Sequence, residues 1–235
     1  MTLRIESVAA GKQGAVTLAA YLLTICLALL MLQLYAGGAD FSLSDTDMDK
    51  AEAKWGGARK RLQAWQKLLE SGTSLPTESA KLQTVNRFFN QISFVSDAQH
   101  WNKPDYWATP VEMLGSNGGD CEDFAIGKYF TLLQIGIPLS KLRITYVKAL
   151  NWNPVDQAHM VLAYYETPKS EPLILDNLIP EIKPASQRQD LIPVYSFNGE
   201  GLWLAKERGS GKPVGGSDRI GLWKDLTSRL GQELN

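Results

Sequence analysis

Apolar periodicity changes character part-way along this 235-residue chain, and that change narrows the folds open to it. Upstream of Gly136 apolar residues recur at helical spacing. Trp55, Ala58, Leu62, Trp65 and Leu69 lie three and four apart, which predicts one amphipathic helix over residues 48–70, ended by Ser71-Gly72-Thr73. Pro76 fits the first turn of a second helix, where a missing N–H costs nothing; Leu82, Val85, Phe89 and Ile92 are its apolar face. A further helix is predicted over residues 121–135, closed by Gly136 and Pro138. Downstream, β-type runs take over at residues 142–147, 159–165 and 172–175, with weaker signals at 191–197 and 202–205. Residues 93–118 read as irregular and 115–119 as a glycine-rich turn. Residues 206–216 form a Gly-rich connector, and 218–230 a short terminal helix. Helices first and strands later predict an α+β fold, N-terminal helices packed on an antiparallel sheet.

Residues 18–34 are apolar except for Thr24 and Gln33, with Arg4 and Lys12 before them and Ala36-Gly37-Gly38-Ala39 after. Basic, apolar and small-residue regions in that order are expected of a secretory signal over residues 1–39. An uncleaved membrane anchor is the alternative, although a spanning helix needs roughly 20 apolar residues and this run is slightly short of that. Either way, residues 40–235 are expected to form one domain that works outside the cytoplasm, with 206–235 carrying no motif. With 24 basic and 25 acidic residues there is no basic surplus, which argues against nucleic-acid binding. Two cysteines and two histidines exclude zinc fingers, CxxC redox pairs and disulfide scaffolds. Losing residues 1–39 removes Cys26 and leaves Cys121 as the sole thiol, which in an oxidising compartment is either an inert buried group or a reactive one.

Cys121 follows Gly118-Gly119-Asp120 and opens a predicted helix. Backbone N–H groups and the positive end of the helix dipole favour a thiolate there, and the same N–H groups can face an oxyanion. Asp120, Glu122 and Asp123 oppose this, because three carboxylates raise a thiol pKa by like-charge repulsion. An imidazolium or a metal ion has to offset them. His159 opens one β-type run and Asp176 ends the next. If the two strands are antiparallel neighbours, these residues meet at one end of the sheet, in the order nucleophile, base, orienting acid. A buried, inert Cys121, a hydrogen-bonded core His159 and a turn residue Asp176 are the plain alternatives.

Four segments together carry a resemblance: Asp105-Tyr106-Trp107-Ala108-Thr109-Pro110, Gly119-Asp120-Cys121-Glu122-Asp123-Phe124-Ala125, His159-Met160-Val161-Leu162 and Leu175-Asp176-Asn177. Over residues 82–204 the sequence resembles the bacterial transglutaminase-like cysteine proteinases. The resemblance implies a papain-like fold, with Cys121 as nucleophile, His159 as general base and Asp176 as its orienter. It implies calcium dependence, with Asp120 and Glu122 as metal ligands and Asp123 and Asp105 as further possible ones. Calcium takes several hard oxygen ligands and would cancel the repulsion around the thiol. Asp120 also reads as a helix N-cap paired with Asp123, and both readings can hold at once. The resemblance further implies a large surface adhesin as substrate, a periplasmic setting, and an inner-membrane receptor for cyclic di-GMP that sequesters the protease. Trp107 is expected as a wall of the site or a second oxyanion donor, or simply as core packing. His100 is expected to be dispensable. Acyl transfer to an amine, and a non-catalytic binding module on the same scaffold, are the competing expectations.

Overall fold

The helix expected over residues 48–70 is two helices. The computed structural model describes residues 41–150, 157–204 and 213–233, and in it α1 (Asp45–Lys54) and α2 (Ala58–Gly72) are separated at Gly56-Gly57. Gly57 takes φ 77°, a left-handed conformation that a side chain resists and that ends helical periodicity. α3 (Glu78–Phe89) is capped by Thr77, whose Oγ1 accepts from the Ala80 N–H at 3.1 Å. Pro76 therefore sits just outside the cap rather than in the first turn, where it stops the helix from extending backwards.

The stretch expected to be irregular holds four short elements: β1 (Ser93–Phe94), α4 (Asp97–His100), α5 (Pro110–Ser116) and β2 (Gly118–Gly119). Each is too short to show a period. Their signal was in the caps instead: Ser96 precedes α4, and Thr109-Pro110 with Glu112 forms a capping box on α5. β1 and β2 pair in parallel, Ser93 with Gly118 and Phe94 with Gly119.

α6 (Cys121–Gln134) follows, with Gly136 at φ 89° behind it. The later strands are β3 (Leu142–Ala149), β4 (Gln157–Tyr164), β5 (Leu173–Leu175), β6 (Lys183–Pro184), β7 (Leu191–Phe197) and β8 (Leu202–Leu204). They form one antiparallel sheet in the order β6-β5-β4-β3-β7-β8. α7 (Gly221–Glu233) closes the described chain. Among the described residues no helix is long and apolar enough to cross a membrane; the apolar run over 18–34 lies outside them.

α6 packs across β3 and β4. Phe124 and Leu132 from α6 share one buried cluster with Leu62, Trp65 and Phe89 from the N-terminal helices. Ile144, Met160, Leu162 and Leu175 from the sheet complete it. The Trp65 indole N–H donates to Thr131 Oγ1 at 2.9 Å, so the one polar atom of this large ring is satisfied inside the core. Strand alternation sends Val147, Val161, Ala163 and Ile174 into a smaller cluster on the other side of the sheet. The arrangement is the expected α+β one, and it aims the start of α6 at one end of β4.

Candidate active site

Cys121 is the first residue of α6 and is partly exposed. The turn that delivers it is held by Asp123. Its Oδ2 accepts from the Asp120 N–H at 3.2 Å and its Oδ1 from the Ala108 N–H at 2.7 Å. The two glycines ahead of it are required by close approach: a Cβ on Gly119 would lie 2.6 Å from Asp123 Oδ2, and one on Gly118 would lie 2.8 Å from the His100 ring. The thiol donates to Glu122 Oε2 at 2.9 Å. Burial pushes its pKa well up, and the charges of Glu122 and Asp120 push the same way; a hydrogen bond from the Met160 backbone opposes them. Helix-start stabilisation is thus outweighed locally, as the acidic flanks led one to expect.

β4 and β5 are antiparallel neighbours, with Leu162 opposite Leu175. That register puts His159, near the start of β4, and Asp176, just past β5, at the same end of the sheet. His159 Nε2 lies 2.8 Å from Asp176 Oδ1. Nε2–H donating to the carboxylate leaves Nδ1 as the basic nitrogen. Cys121 and His159 line one cleft of about 290 Å³, with Phe94, Ala149, Ala158 and Leu178 among its other walls.

Two buried basic residues near the site escaped the sequence reading. Arg188, 3% exposed, donates from Nη2 to Asp176 Oδ2 at 2.7 Å and is itself gripped by Asp190 at 2.9 and 2.8 Å. Lys128, two helical turns beyond Cys121, is fully buried, and burial lowers its pKa to about 7 against the opposing pull of the Asp176 charge. Asp176 is buried, which raises a carboxyl pKa. Hydrogen bonds from His159, the Leu178 N–H and Arg188, with the His159 charge, overcome this and hold it at about 2. A folded-state value below the ordinary 3.8 means this stabilisation is present above about pH 4 and is lost as pH falls toward 2. Arg188→Lys keeps a cation but cannot span two carboxylates with a planar fork. The expected outcome is a kcat reduced about 10- to 100-fold with KM little changed, measured on protein whose circular dichroism matches wild type.

The acidic residues converge. Oxygens of Asp97, Asp105 and Glu122 lie within 4.8 Å of one another, as do those of Asp97, Asp120 and Asp123. Asp97 was not singled out in the sequence; the parallel β1–β2 pairing brings the residues after β1 beside those after β2. Burial raises the pKa of Asp97 to about 6. Burial and the Glu122 charge raise Asp105 and Asp120 as well. Asp97 Oδ1 and Asp120 Oδ1 are buried without a hydrogen-bond partner. Unpaired buried carboxylate oxygens are costly, and a hard divalent cation would satisfy both. The donors fit such an ion: all are oxygen. Asp123 has both oxygens on backbone N–H groups, so it holds the turn while its carboxylate also lies in the cluster with Asp97 and Asp120.

Trp107 is not an oxyanion donor. Its indole hydrogen-bonds Asp105, and its ring stacks on Phe197 at 5.7 Å. His100 lies outside the Cys121–His159 cleft, its Nε2 2.8 Å from Ser116 Oγ. His100→Ala is expected to cost about 1 kcal/mol of stability and to keep activity within a few-fold, whereas His159→Ala inactivates; parallel urea melts and cleavage rates check this.

No curated protein matches the chain. The family model described as bacterial transglutaminase-like cysteine proteinase matches residues 62–204. Legionella pneumophila LapG is 46% identical, with a TM-score of 0.67 over 79% of this chain and 96% of that one. Its calcium-bound form is 48% identical, with a TM-score of 0.68 over 80% and 99%. The EGTA-treated form gives 46% and 0.68 over 79% and 96%. A cysteine at the start of the central helix, across a cleft from a carboxylate-bound histidine on the sheet, sits within the matched span. The chain therefore belongs to the bacterial transglutaminase-like cysteine proteinases.

Proposed function

We propose that this chain is a calcium-dependent periplasmic endopeptidase that cuts the N-terminal region of a large surface adhesin and so controls biofilm attachment. The observation that carries the reading is Cys121 at the α6 N-terminus sharing a cleft with His159, which is paired behind it to Asp176.

His159 Nδ1 takes the thiol proton, and the Cys121 sulfur attacks the peptide carbonyl carbon. The Cys121 backbone N–H stabilises the oxyanion, and His159 passes the proton to the leaving amine. Water, deprotonated by His159, then hydrolyses the thioester. Asp176, fixed by Arg188, keeps His159 in one tautomer and stabilises its cationic form. Asp120, Glu122, Asp105 and Asp97 would hold calcium, whose charge would offset the carboxylates crowding the thiol. LapG solved both calcium-bound and EGTA-treated supports that assignment.

Export through residues 1–39, and sequestration by an inner-membrane cyclic di-GMP receptor, complete the reading; both rest on the sequence pattern and the family. The test is incubation of adhesin N-terminal fragments with the protein, with and without chelator, read by fragment mass. Two fragments, one carrying an added water, are expected. A product carrying an added amine instead would make the chain an acyl transferase, and an uncut fragment in calcium would overturn the substrate.

A further inference from the structure

The segment from Asp105 to Ala108 organises the acidic cluster from one side. The Tyr106 N–H donates to Asp97 Oδ2 at 2.5 Å, the Trp107 indole binds Asp105, and the Ala108 N–H holds Asp123 at 2.7 Å. Something must in turn fix this segment, which belongs to no helix or strand. That contact comes from α7, beyond the span matched by the family model.

Arg229 Nη2 donates to the Trp107 carbonyl at 2.5 Å, and its Nη1 pairs with Glu112 Oε2 at 2.5 Å. The guanidinium lies 4.5 Å from the Tyr106 ring centroid. Glu112 also accepts from the Tyr106 hydroxyl at 2.7 Å and from the Thr109 N–H at 2.9 Å. One side chain thus grips the backbone between two candidate ligands' supports. α7 does not depend on Arg229 for its own seat: Trp223, Leu226 and Leu230 bury its apolar face, and Trp223 stacks on Phe130 at 5.6 Å.

We infer that the C-terminal helix is a clamp on the cation site, and that Arg229 is a positioning residue which sets calcium affinity by holding residues 105–108 in the binding geometry. The inference rests on the calcium reading above. Its physical basis is preorganisation: a ligand cage held in place does not have to be ordered when the ion arrives. Supporting groups behind metal ligands typically change affinity 10- to 100-fold.

The test titrates calcium into the full chain by calorimetry, and terbium by luminescence sensitised through nearby tryptophans. Arg229→Met, which keeps the apolar stem, is expected to weaken binding about tenfold or more. Its melting temperature in chelator is expected to fall, because buried Glu112 loses its cation, but by less than it falls in calcium, and cleavage is expected to return toward the wild-type rate at saturating calcium. Arg229→Lys is expected to recover part of the affinity. Wild-type affinity in Arg229→Met overturns the clamp while leaving the calcium reading intact. Equal loss of melting temperature in chelator and in calcium, with affinity unchanged in the folded fraction, reduces Arg229 to plain stability and also overturns it. A wild-type protein that binds neither ion overturns the calcium reading and the clamp together.

Discussion

Cys121→Ala is expected to abolish cleavage, by about 10⁴-fold or more, while the protein stays folded. The substitution removes the sulfur and its proton and little else. Asp123 still caps α6 through the Asp120 and Ala108 N–H groups, and none of the core residues around Trp65 and Leu132 is touched. Loss of the thiol also frees Glu122 of its 2.9 Å contact, which exposes no buried donor. The companion His159→Ala should be equally inactive and also folded. Asp176 keeps its 2.7 Å pair with Arg188, so the change does not strand an unpaired buried charge, the usual cause of a loss of roughly 3–5 kcal/mol. Cleavage rates, thermal melts and single-turnover mass spectrometry check both variants together. Near-wild-type cleavage by folded Cys121→Ala would sink the nucleophile assignment.

Chelation is the second large effect, and it should be reversible. Without a cation, Asp97, Asp105, Asp120 and Glu122 crowd one another, and Glu122 holds the thiol protonated. The raised thiol pKa then leaves little thiolate near neutral pH, and cleavage should fall at least 100-fold. Calcium should restore it. Magnesium should restore it poorly, because it requires a tighter octahedral shell and sheds water reluctantly. Asp120→Ala and Glu122→Ala should lose calcium binding and activity together. Were Asp120 only an N-cap, its loss would cost roughly 1 kcal/mol and leave activity intact at low temperature. Calorimetric titration beside the cleavage assay separates the two outcomes, and full activity in chelator would defeat the calcium assignment.

Helices first and strands later, the antiparallel sheet and the candidate residues Cys121, His159 and Asp176 were legible in the sequence. α6 announces itself through the Asp120/Asp123 box and its Gly136 stop. The strands announce themselves as apolar runs, and two residues at matching ends of adjacent strands must be close. The misread regions were those where local signals are weak or conflict. Gly56-Gly57 breaks a stripe whose spacing by itself continues, because periodicity records side chains and not backbone angles. The elements between residues 93 and 118 are too short to repeat a period often enough to reveal it.

What the sequence determined by itself was which groups are available: one thiol past residue 39, one histidine at the start of a strand, and a knot of carboxylates around the helix start. What only the tertiary structure decided was which of them meet. Asp97 reaches the cluster because β1 lies parallel to β2, a pairing across about 25 residues that no local pattern encodes. Arg188 reaches Asp176, and Arg229 reaches Trp107, across 12 and 122 residues of chain. These arginines look in sequence like ordinary surface cations. Packing beside the Asp176 carboxylate is what brings Arg188 to the site, and packing beside the Trp107 carbonyl is what carries our inference for Arg229; packing is a property of the folded chain rather than of the residue.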